Sequence, residues 1–94
     1  MEIPKEFRTI CHYFVQDMNV FATTPEAFIR FATQELSVVQ KRIVITFLDD
    51  LLGDQVTDQF LQDVWWSSGA NIHFLDEAQL RRTLELMRLM LSAA

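Results

Sequence analysis

The chain has 94 residues, half of them apolar and 12% aromatic, with thirteen acidic against eight basic residues for a formal net charge of −5. That length makes one domain with a real but thin core, and that apolar content is too high for a disordered tail. An acidic balance excludes nucleic-acid binding as a main task, because phosphate recognition needs concentrated Lys or Arg.

The start, Met1-Glu2-Ile3-Pro4-Lys5-Glu6, carries acidic residues and no apolar run behind a basic cluster, so no signal peptide is expected. Pro4 fits the first turn of a helix, where its missing N–H costs little. Ile3, Phe7, Ile10 and Phe14 then recur at helical spacing, widened by Cys11, Val15 and Met18, and predict an amphipathic helix to about Gln16. Tyr13 lies off that stripe, which keeps its phenol near water or a polar partner. Cys11 is the single cysteine, so no intramolecular disulfide can form and a reducing, cytoplasmic compartment is expected.

Asp17 to Thr23 breaks the pattern, and Thr23-Thr24-Pro25-Glu26 signals a second helix. Two registers are open: Thr24 as cap with Pro25 at the first helical position, or Thr23 as cap with Glu26 reciprocating. Phe28, Ile29, Ala32 and Leu36 face one way with Phe31 at the edge, and Arg30 and Gln34 face the other. Ser37 with Gln40 repeats a capping box, so a break is expected at Leu36–Ser37.

A third helix follows, with Val38, Val39, Ile43, Val44, Phe47, Leu48, Leu51 and Leu52 in helical register up to Gly53, which suits the left-handed position after a helix. Ile45 lies outside this stripe, so the helix is apolar over more than one face and is predicted to be central. Thr57 caps a fourth helix with Asp58 at the positive end of its dipole. Phe60, Leu61, Val64 and Trp65 form its apolar stripe, and Trp66 is turned about 100° from Trp65. After Ser67-Ser68-Gly69, the alternation of Ala70 to Phe74 predicts an extended connection or a lone strand. Asp76 with Gln79 starts the last helix, whose Leu80, Leu84, Met87 and Leu91 follow four-three-four spacing. Leu86, Leu89 and Met90 broaden that stripe, and Arg81, Arg82, Glu85 and Arg88 make its wet face. The expected fold is all-α, a compact single-domain bundle of about five helices over residues 1–94, with no run near the roughly 20 apolar residues that cross a membrane.

Charge is distributed unevenly. Asp49, Asp50, Asp54, Asp58, Asp63, Asp76 and Glu77 fall between positions 49 and 77 with no Lys or Arg among them, whereas the remaining six carboxylates face all eight cations. Such a field bears on partners and encounter rates rather than on fold.

Catalytic constellations are weak by comparison. Cys11 and His12 are neighbours whose side chains diverge by about 100° on a helix, a poor nucleophile–base pair. His73, Asp76 and Glu77 offer too few N or S ligands for zinc, and Gly53 and Gly69 make no phosphate loop. Asp49 and Asp50 diverge as successive helix positions and read as a solvated face rather than an acid–base pair. No catalytic residue, metal site or cofactor is expected. Trp65 and Phe74 read as core, whereas Trp66 either covers the seam between the last two helices or, like Tyr13, anchors a partner within the acidic ring.

Several patches resemble a known family. Tyr13-Phe14-Val15-Gln16-Asp17 followed by Thr24-Pro25-Glu26 resembles the opening of small helical immunity proteins of bacterial contact-dependent growth inhibition. Leu48-Asp49-Asp50-Leu51-Leu52, then Trp65, Ser68-Gly69-Ala70, Ile72, Phe74, Asp76 and Leu80-Arg81, are similar to the same group. Val15 and Met18 depart from it, standing where histidine and tryptophan are expected, so no binding role is carried to those positions. The resemblance implies a non-catalytic cytoplasmic protein that neutralises the toxic domain of a delivered effector, often a nuclease. The acidic field is compatible, since a basic substrate cleft can be occupied by an acidic surface. The expected contact set is Asp49, Asp50, Asp54, Asp58, Asp63, Trp66 and Glu77. The alternatives are a small adaptor or secretion chaperone with an apolar groove, and a cryptic hydrolase.

Overall fold

Side-chain caps start three helices where the sequence places them. In the computed structural model, which describes residues 2–14, 24–53, 55–70 and 77–93, the Ala27 N–H donates to Thr24 Oγ1 at 3.1 Å with Pro25 at the first helical position. That settles the register in favour of Thr24. Ser37 and Gln40 close a reciprocal capping box, with the Ser37 N–H on Gln40 Oε1 at 2.9 Å and the Gln40 N–H on Ser37 Oγ at 3.2 Å. Thr57 Oγ1 accepts from the Phe60 N–H at 3.1 Å. Each cap satisfies a backbone donor that the first turn leaves unpaired.

The helices are α1 (Lys5–His12), α2 (Pro25–Thr33), α3 (Val38–Leu51), α4 (Asp58–Ser67) and α5 (Glu77–Ser92), and no strand occurs among the described residues. Pro4 stands just outside α1 as its cap, its carbonyl accepting from the Phe7 and Arg8 N–H groups. The break before Ser37 is present. The predicted interruption over Asp17–Thr23, the extended stretch at Asn71–Phe74 and the Asp76 cap lie outside the described residues. A radius of gyration of 12.2 Å matches the roughly 12 Å of a compact domain of this length.

The four-three-four stripe of α5 is fully used: Leu80, Leu84, Met87 and Leu91 are buried. α5 packs against α2, α3 and α4, and α1 packs against α2 and α3, so the hub is α5 rather than the predicted α3. The reason is geometric. One helix can turn only part of its circumference to a core, and α3 gives it Val44, Phe47, Leu48 and Leu51 while Val38, Val39 and Ile43 stay exposed. Phe60, also expected inside, is 38% exposed. Aromatic rings join the layers: Phe7 meets Phe47 with centroids 4.9 Å apart, and Phe14 meets Trp65 edge-on at 5.1 Å. Burying side chains of this size contributes about 1.5–3 kcal/mol each.

The glycine prediction is corrected. Gly53 has no positive φ, and α3 instead runs out through Leu52 at φ −94° and ψ 14°. The left-handed residue is Gly69, at φ 98°, just past the end of α4. There the C-terminus of α1 abuts the chain, with the Ser68 hydroxyl donating to the Val64 carbonyl and the His12 imidazole lying against Gly69. A side chain at residue 69 would collide with that ring.

Candidate partner-binding surface

The acidic corner between α3 and α4 is strapped to α5. Arg81 donates from Nε to Asp58 Oδ1 at 2.8 Å and from Nη2 to the Val56 carbonyl at 2.5 Å. Arg88 donates from Nε to Asp49 Oδ1, and this hydrogen bond, then the carboxylate's charge, raises the guanidinium's pKa. Arg81 and Arg88 are seven residues apart, hence on one face of α5 about 10 Å along its axis. Two of the residues predicted to meet a partner therefore already hold cations. Asp49 lies in the last turn of α3, where the dipole disfavours a carboxylate by about 0.3–1 kcal/mol, so Arg88 offsets a local conflict. Asp58 lies in the first turn of α4, where the dipole favours it.

The rest of the set falls into separate places. Asp50 is exposed in the last turn of α3 and forms no ion pair with a described residue. Asp63 is exposed on α4 and accepts from Gln59 Nε2 at 3.1 Å. Trp66 follows Asp63 by three positions and is 40% exposed, so acid and indole share one side of α4 with Gln59. Trp65, one residue earlier, is 1% exposed against Phe14, and the expected divergence of the two indoles is present. Tyr13, the other candidate anchor, is half-buried edge-on to Phe31 with centroids 5.3 Å apart. Asp54 lies outside the described residues, as does the side chain of Glu77.

A second surface lies on α3. Val39, Ile43, Thr46 and Phe47 of α3, with Arg42 and Asp50, line an open groove of about 460 Å³ whose far wall is Glu2 and Pro4. Val38 and Val39 are 68% and 67% exposed. A signal for it exists in the sequence, because Val38, Ile43 and Ile45 span too wide an arc to enter one core with Phe47 and Leu51.

Cys11 and His12 do not form a nucleophile–base pair. The thiol is buried and its pKa is pushed up to about 12 by loss of solvation, with the nearby Ser68 hydroxyl opposing that rise, so it is protonated at neutral pH. The His12 ring instead lies on the surface against Gly69. His73 and Asp76, weighed above as metal ligands, lie outside the described residues. No helix is long and apolar enough to cross a membrane among the described residues.

Fold and surface together define a small all-α domain with an acid–indole patch on α4 and an apolar groove on α3. Compared with protein-family models, curated proteins and solved structures, the chain matches none.

Proposed function

We propose that the chain is a non-catalytic immunity protein of the contact-dependent growth-inhibition type, which binds the toxic domain of an effector in the cytoplasm and blocks it stoichiometrically through an acidic surface. The observation that carries this reading is the pairing of Asp63 and Trp66 on the exposed side of α4. An aromatic anchor supplies affinity, and a neighbouring carboxylate sets encounter rate and discriminates for a basic partner such as a nuclease cleft. The patches that resemble small helical immunity proteins support the same reading, with Leu48 to Leu52, Trp65 and Ser68 to Ala70 bordering that surface in sequence. Asp50 extends the acidic set from α3, while Asp49 and Asp58 act mainly in holding the corner to α5.

The test is calorimetric titration against the toxic domain of the neighbouring effector, at low and high salt. Binding should be one to one and weaken with salt, Trp66→Ala should weaken it by at least about tenfold, and Asp63→Lys with Asp50→Lys should weaken it and flatten the salt dependence. Retained affinity and salt slope in those variants, with helicity unchanged, would remove the surface; absence of binding by the wild type would remove the function.

The exposed Val38, Val39 and Ile43 favour a second reading, an adaptor or chaperone that takes an apolar segment. Capture of an apolar peptide with affinity indifferent to salt would support it.

A further inference from the structure

One exposed ridge of α3 is complementary to itself. Val38, Arg42, Thr46 and Asp50 recur every four residues and form a single ridge of the helix, beside a second ridge that begins at Val39 and Ile43 and turns into the core at Phe47 and Leu51. After Val38, the first ridge carries a cation, a small side chain and a carboxylate in turn. Arg42 and Asp50 are about 12 Å apart along the axis, too far to pair within one helix, and neither forms an ion pair with a described residue. Asp50 also faces the negative end of its own helix dipole, a position that calls for a cation.

We propose that this face binds a second copy of the chain, α3 against α3, antiparallel about a two-fold axis passing beside Thr46. Arg42 of each copy then meets the partner's Asp50, and Val39 and Ile43 are withdrawn from water. Packing of the four-residue ridges of two such helices, at an interaxial distance of about 8–10 Å, leaves both charge pairs within side-chain reach. A parallel arrangement would set Arg42 against Arg42 and Asp50 against Asp50, so charge fixes the orientation. The interface is isologous and closes at two copies. One helix face with the Glu2–Pro4 wall lies at the small end of specific interfaces, which makes the dimer concentration-dependent. Asp50 belongs also to the acidic set assigned to the toxin, so dimer and toxin complex compete for it.

Sedimentation velocity on the purified chain alone, from about 1 µM to about 1 mM, tests the proposal independently of any toxin. The wild type should pass from monomer to dimer over that range. Arg42→Asp and Asp50→Arg should each weaken association by about tenfold or more, and the double variant should return to within about threefold of the wild type, because the swap restores both pairs. Circular dichroism confirms that each variant keeps its helicity. A wild type that stays monomeric, a dimer indifferent to Arg42→Asp, or a double variant as weak as its parents while fully helical would each overturn the proposal; the last result would point to a different partner for the groove. Whether or not the chain dimerises, the immunity function stands or falls on its own titration.

Discussion

The His12 imidazole occupies the space in which a side chain at residue 69 would stand: a Cβ on Gly69 would fall 2.4 Å from both Cδ2 and Nε2 of the ring. Gly69 is also the one glycine at positive φ among the described residues, so two costs coincide there. Gly69→Ala should destabilise the fold by about 1–3 kcal/mol, the backbone strain plus displacement of the ring. His12→Ala in the same chain should recover only the steric part, because the φ of 98° stays unfavourable for an L residue. A double-mutant cycle by urea denaturation separates the two; full recovery by His12→Ala would show that the backbone is not strained.

Arg81 holds the α3–α4 corner with two hydrogen bonds, one to a carboxylate and one to a carbonyl. Arg81→Ala should cost about 1–2 kcal/mol, since it leaves the half-buried Asp58 without its cation and the Val56 carbonyl without that donor. Arg88→Ala should change stability much less, because its pair with Asp49 is exposed to solvent and screened by salt. Chemical denaturation of both variants at low and high salt checks the ranking, and equal losses would contradict it.

Leu48 and Ile43 lie five residues apart on α3 and should respond very differently to truncation. Leu48 has no exposed surface, so Leu48→Ala should cost about 2–5 kcal/mol through lost contacts and a residual cavity. Ile43 is 38% exposed, and Ile43→Ala should cost less than about 1 kcal/mol in dilute solution. Thermal unfolding at low protein concentration, where self-association does not contribute, reads the difference.

The Cys11 thiol titrates at about 12 in the folded chain, raised by burial from an ordinary 9.0. The folded state therefore keeps its proton where the unfolded state loses it. This contribution to stability is complete below pH 9 and declines as pH rises from 9.0 towards 12, by at most roughly 4 kcal/mol from this group. Cys11→Ala should flatten that part of the stability curve. In native protein at pH 8, alkylation of the thiol should be far slower than after unfolding in urea; equal rates would place the thiol at the surface.

Local chemistry was legible wherever a residue acts on its own neighbours. Thr24, Ser37 and Thr57 cap their helices through donors three residues ahead, and the spacing of Leu80, Leu84, Met87 and Leu91 names the buried face of α5 directly. The divergence of Trp65 and Trp66 follows from helical pitch alone. These are relations within one or two turns, which sequence order carries intact.

Only the tertiary structure decided what depends on residues distant in the chain. An apolar stripe shows that a helix has a face to bury and not how wide a surface its neighbours offer, so Val38, Val39 and Ile43 read as core and lie outside it. Charges summed by segment made the stretch from Asp49 onward look uncompensated, yet Arg81 and Arg88, 23 and 39 residues away from their partners, fold back onto Asp58 and Asp49. The need for glycine at position 69 likewise comes from His12, 57 positions earlier, as well as from its own backbone. The five helices and the caps at Thr24, Ser37 and Thr57 were thus legible in residue order alone, whereas the end of α1 at His12, short of the expected Gln16, and burial, ion pairing and exposed surface waited on which helices meet, because each is a property of two surfaces rather than one.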